Sequence, residues 1–271
     1  MLFKDEFVAE VQAKYGNQPR SAWPPGAAYV LDPQAQRERE ILESIFSDYP
    51  EISHKKRLQD DLLSFDKDQF WSAWAELMTF DYFSERHFEV EPEPRLGTRP
   101  PDFLITWPSG KESVSKAVVE VTTVNAESKR SLNLVEDEDE LLKKRIYDRI
   151  QEKITQGKVV EDLKMPLLLV IIIKGPYFAD TLEQAYSEVL RLSEAAMIEG
   201  PKRLSGILIF YTMGLNETDG SYRIVLEPFR YPNPGCLYPF DPYFDVLTDP
   251  ISGIDEEGIL VRKIRTGEIT L

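Results

Sequence analysis

Val118-Val119-Glu120-Val121-Thr122-Thr123-Val124 is a run of β-branched residues interrupted by one acid. Branched side chains fit a pleated surface and are stiff there, so the run reads as a strand. Alternation puts Val119, Val121 and Thr123 on one face and Val118, Glu120, Thr122 and Val124 on the other. Glu120 therefore stands with Val118, Thr122 and Val124 on a face that holds no other charge within the run. A carboxylate buried without a partner costs on the order of several kcal/mol or is driven neutral, so this acid calls for a partner or a metal ion. A solvated edge position accounts for it less well.

Working outward, Pro108-Ser109-Gly110-Lys111 is a turn, and the stretch before it, Asp102 to Trp107, is strand-like. Asp102 opens that strand behind the rigid pair Pro100-Pro101. Aspartate after prolines is also a common turn residue. A hairpin linking the two strands can bring Asp102 and Glu120 within reach of one ion. Carboxylate oxygens with open water positions suit Mg²⁺ or Mn²⁺ rather than zinc.

Further out, Phe70 to Phe83 is a helix apolar around most of its circumference, which implies burial. Phe88 to Glu91 is a short strand, and a charged helix spans Glu136 to Gln156. Leu167 to Ile173 has the unbroken apolar character of a central strand covered on both faces. An amphipathic helix over Thr181 to Ile198 and strands at Gly206 to Tyr211 and Tyr222 to Leu226 follow, and the tail beyond Phe229 reads as irregular. The order favours an α/β fold, a mixed sheet with helices on both faces. Residues 1–65 read as an N-terminal helical arm ahead of a domain over 66–271. In the arm, Leu2 to Lys14, Gln34 to Asp48 and His54 to Leu63 are helical, while Pro24-Pro25-Gly26 marks a loop.

Arg99-Pro100-Pro101-Asp102-Phe103, a hairpin, and Val118-Val119-Glu120-Val121-Thr122 together resemble the P-D…(D/E)-x-K pattern of the PD-(D/E)xK, or restriction-endonuclease-like, nuclease superfamily. The flanking elements are similar to its α-β-β-β-α-β core, over roughly Phe70 to Tyr211. The resemblance implies a divalent-metal-dependent endonuclease, a hydrolase of phosphodiester bonds. Asp102 and Glu120 would bind the ion, and Glu76 would assist from the preceding helix. Glu76 can instead pair with an arginine in the core. The chain departs from the pattern at Thr122, which stands where the motif lysine belongs and cannot supply an ammonium.

Some superfamily members carry that lysine on the following helix. At 100° per residue, Leu142, Ile146, Tyr147, Ile150 and Ile154 form a stripe spanning roughly 140°, and Lys153 falls about 20° inside its edge. Lys153 is the candidate migrated lysine, although a snorkelling lysine with a packed stem would have the same spacing. Lys143, Lys144, Arg145 and Arg149 on the same helix could meet a phosphate backbone or pair with the acids of Glu136 to Glu140.

Composition pulls the other way. Forty-seven acids against 32 lysines and arginines leave a formal net charge of −15, a field that repels polyphosphate. The expected partner is nucleic acid, DNA ahead of RNA. A fold kept as a protein-interaction module, with a protein partner on the N-terminal arm, is the alternative. No apolar run is long enough to cross a bilayer, and the acidic start of the chain is unlike a signal peptide. A single cysteine, Cys236, rules out an intrachain disulfide, and a cytoplasmic location fits that usage. Cys236 has no histidine nearby in sequence, and His54 and His87, the two histidines, lie far apart, so neither a catalytic thiol nor a histidine-rich zinc site is expected.

Overall fold

The computed structural model describes residues 1–51, 53–96, 100–108, 114–125, 138–156, 164–174, 204–216, 222–233, 235–240, 252–254 and 260–262. The chain divides into two compact units, Met1–Asp81 and Tyr82–Leu271. The cut falls inside the helix Lys67–Glu85.

In the first unit the helices are α1 (Asp5–Tyr15), α2 (Pro25–Leu31), α3 (Gln36–Asp48), α4 (Ser53–Leu62) and most of α5 (Lys67–Glu85). The loop expected at Pro24-Pro25-Gly26 is instead the start of α2. Proline at the first helical position loses no hydrogen bond and arrives with a helical φ, so Pro25 begins a helix here. Gly26 packs beside the backbone of Leu62 and Ser64, where a Cβ would lie 3.5 Å from both carbonyl oxygens, an ordinary contact. Lys55 closes the end of α3: its Nζ donates to Tyr49 O at 2.7 Å and to Glu51 Oε1 at 2.6 Å.

The second unit is built on a six-stranded mixed sheet in the order β1 (Glu89–Pro92), β2 (Phe103–Pro108), β3 (Val114–Asn125), β4 (Leu167–Lys174), β5 (Leu204–Asn216), β6 (Tyr222–Pro232). The first three strands form an antiparallel meander, β3, β4 and β5 are parallel, and β6 returns antiparallel to β5. β4 occupies the interior, and Leu167 to Ile173 are all buried, as its continuous apolar run requires. β6 carries Pro228 and Pro232, which an edge strand tolerates because an edge leaves some N–H groups without a ladder partner anyway. β6 runs past Phe229, and the tail also carries the hairpin of β7 (Ser252–Ile254) and β8 (Leu260–Arg262), where irregular chain was expected. The helix expected over Thr181 to Ile198 lies outside the described residues.

Cross-strand register defines two sheet faces. Glu120 aligns with Leu169 and Ile207, while Thr123 aligns with Ile172 and Phe210 on the opposite face. The last turn of α5 sits on the Phe210 face, where the Tyr82 ring meets Phe210 edge-on with centroids 4.8 Å apart. α6 (Glu138–Gln156), the crossover between β3 and β4, covers the Glu120 face with Ile146 and Ile150 buried. Helices thus cover both faces, and the order α5-β1-β2-β3-α6-β4 is the one the sequence calls for.

Candidate functional site

The β2–β3 register pairs Phe103 with Val119 and Leu104 with Val118. One step beyond its end, Asp102 comes level with Glu120. The proline pair before Asp102 keeps the chain out of the ladder there, and its carboxylate substitutes for a backbone acceptor: Val121 N–H donates to Asp102 Oδ2 at 2.6 Å. That bond fixes the Asp102 side chain against β3. It is also what a strand-end aspartate does in a purely structural role. On its other side, the Asp102 carbonyl accepts from Glu93 N at 3.0 Å.

Lys153 enters from α6. Its Nζ stands 2.8 Å from Glu120 Oε2, to which it donates, and 3.5 Å from Asp102 Oδ2. The side chains are 16% exposed for Lys153, 14% for Glu120 and 34% for Asp102, so the cluster is sheltered but open on the Asp102 side. Burial pulls the Lys153 ammonium down, and the charges and hydrogen bonds of Asp102 and Glu120 together outweigh it, so the group is held above its ordinary value. Thr122 lies on the same face of β3, two residues on and half-buried.

Glu76 sits in α5 within the first unit. Its Oε1 accepts from Tyr49 OH at 2.8 Å and pairs with His54 Nε2. These partners belong to the same unit and satisfy the acid locally. Sequence reasoning missed His54 and Tyr49, which it placed in an arm without chemistry. Neither carries a local motif, and only the α3–α4–α5 packing joins them to Glu76. Val121 was missed for another reason, because its contribution is a backbone N–H that no side-chain letter announces. On α6, Arg149 pairs with Glu152 at 2.5 Å on the exposed surface. Burial pushes the Cys236 thiol up, which leaves it a poor nucleophile.

The residues present fit a hard divalent ion. Two carboxylates from neighbouring strands turn their oxygens toward one cation, the Lys153 ammonium. An all-oxygen pair suits ions such as Mg²⁺ that keep most of their water and take one or two carboxylates. Among the described residues no group of three His, Cys, Asp or Glu side chains is placed to hold a metal.

No protein-family model matches the chain, and no curated protein matches it. Among solved structures it is similar to Pyrococcus furiosus SfsA in complex with Ca²⁺, at 18% identity over 56% of this chain and a TM-score of 0.24. The match spans 59% of that structure's chain. At that TM-score the likeness carries no argument about fold or activity, so the functional reading rests on the residues themselves. No helix among the described residues is long and apolar enough to cross a membrane.

Proposed function

We propose that this chain is a divalent-metal-dependent nuclease that hydrolyses phosphodiester bonds of nucleic acid, DNA ahead of RNA, through Asp102, Glu120 and Lys153. The observation that carries the reading is the ammonium of Lys153 beside the two carboxylates, 2.8 Å from Glu120. A cation is thereby present at the site although Thr122 replaces the motif lysine. Asp102 and Glu120 would hold Mg²⁺ or Mn²⁺. The bound ion supplies Lewis-acid activation of a water and charge stabilisation on the scissile phosphate.

The chain's own residues have separate parts. The Val121 N–H keeps Asp102 aimed at the cluster, and β3 holds Glu120 rigidly beside it. Lys153, protonated at any physiological pH, offers positive charge to a phosphate oxygen as negative charge develops in the transition state. Glu76 is assigned no contact with the ion here, because Tyr49 and His54 already account for its carboxylate.

A screen of single- and double-stranded DNA and RNA with Mn²⁺ tests the reading. Wild type is expected to cleave at least one substrate, and Asp102→Asn combined with Glu120→Gln to lose on the order of a thousandfold or more. Equal activity in both proteins would sink it. A second reading, a nuclease-like fold serving as a protein-interaction module, is favoured by the net charge of −15. Specific Mn²⁺ binding that disappears in the double variant would count against that alternative.

A further inference from the structure

Lys153 occupies the point toward which Asp102 Oδ2 and Glu120 Oε2 are both turned. We infer that it is a built-in counter-ion that closes the carboxylate pair to a divalent ion and must be displaced before the ion can enter. The inference rests on Asp102 and Glu120 being metal ligands, and it assigns that site a regulation of its own.

Two cations cannot share the same oxygens at short range without strong repulsion, least of all where 14% and 16% exposure limits screening by water. An ammonium is a compact point charge whose three donors need no fixed geometry, so it fills such a point well. The same features make it removable. The four-carbon stem starts one turn from Ile150, which is buried on the sheet-facing side of α6. The stem can remain packed while the charged head swings toward solvent past the more open Asp102 side. Asp102 has an independent restraint in the Val121 N–H, so the first ligand keeps its position after the lysine leaves. Displaced, the lysine stands beside the site, where the proposed reaction needs it.

The net result is a threshold. Without the ion one ammonium offsets half of the pair's charge, and the ion must compete with it for its ligands. Lys153→Met is therefore expected to bind the ion more tightly while losing hydrolysis. A lysine with a purely structural role would not produce that opposition of signs.

Titration calorimetry with Mn²⁺ on wild type, Lys153→Met, Lys153→Arg and the Asp102→Asn/Glu120→Gln double variant tests this. Lys153→Met is expected to bind on the order of tenfold tighter than wild type or more, since a unit charge in contact with the ligands is gone. Lys153→Arg should bind no tighter than wild type, and the double variant should not bind. Equal or weaker binding by Lys153→Met, with binding still lost in the double variant, overturns the competition and leaves the metal site standing. An absence of Mn²⁺ binding in every protein overturns the metal site and the competition with it. A measurement on the wild type guards against a variant that does not fold. Amine acylation at Lys153, read by mass spectrometry, should rise several-fold at saturating Mn²⁺, and an unchanged rate in protein that binds Mn²⁺ also overturns the proposal.

Discussion

Asp102, Glu120 and Lys153 form a small network in which one ammonium stands 2.8 Å from Glu120 and 3.5 Å from Asp102. Removing the lysine leaves two sheltered carboxylates facing each other. Lys153→Met should therefore lower unfolding stability by about 1–3 kcal/mol, less than for a fully buried pair because Asp102 is 34% exposed. The loss should shrink when Glu120→Gln is present, a coupling that a double-mutant cycle by chemical denaturation can measure. The sign with pH follows from the raised value of Lys153. Its contribution is fully present below its ordinary value of 10.5 and is lost only as pH climbs through the higher folded value. The stability difference between wild type and Lys153→Met should stay constant across neutral pH and close only in alkali above about 10.5. A difference that closed near neutrality would mean that another group titrates in place of Lys153.

At the level of elements, two irregularities set where strands and helices sit. Between β4 and β5 the register shifts, with Leu167 opposite Leu204 and Leu168 opposite Gly206, so Ser205 is an extra residue. Its hydroxyl accepts the Leu167 N–H at 3.0 Å and donates to the Tyr238 carbonyl. Asn233 ties the same spot, its Nδ2 donating to Leu204 O at 2.8 Å. Ser205→Ala leaves a buried strand N–H without that acceptor and should cost about 1–3 kcal/mol in a denaturation series. α5 ends with His87 at a φ of 62°, in the left-handed region, while Phe88 N donates back to Phe83 O at 3.1 Å. His87 is exposed, so His87→Gly should raise stability by about 0.5–1 kcal/mol by relieving that conformation. The strands that flank the site were legible because runs such as Leu167 to Ile173 and Val118 to Val124 leave no other packing solution. α2 was not, since Pro-Pro-Gly suits a loop and a helix start equally well, and here Pro25 takes the first helical position.

Across the whole molecule, a net charge of −15 acts at long range, where the sheltered Asp102–Glu120–Lys153 site does not. The proposed nuclease would meet its substrate against this repulsion. Its kcat/KM at fixed Mg²⁺ should rise, rather than fall, as monovalent salt is increased from about 0.01 M to about 0.15 M, because screening shortens from roughly 30 Å to 8 Å. Initial rates on a short duplex would settle the sign. A steep fall would point to a basic track that dominates the approach of substrate and outweighs the overall charge.

The residues alone determined the α/β class, the order of helices and strands from α5 to β4, and the singling out of Glu120, because periodicity and an acid in an apolar strand are local properties of the chain. Lys153 was also marked by its angle on the helix, but an angle names a face and not a distance. Tertiary structure decided the rest. Register brought Asp102 level with Glu120, the crossover of α6 delivered an ammonium 2.8 Å from Glu120, and the packing of α4 on α5 gave Glu76 its partners in His54 and Tyr49. Each joins positions from 18 (Asp102 to Glu120) to 33 residues apart, and such encounters depend on the free energy of the folded whole and not on any one segment.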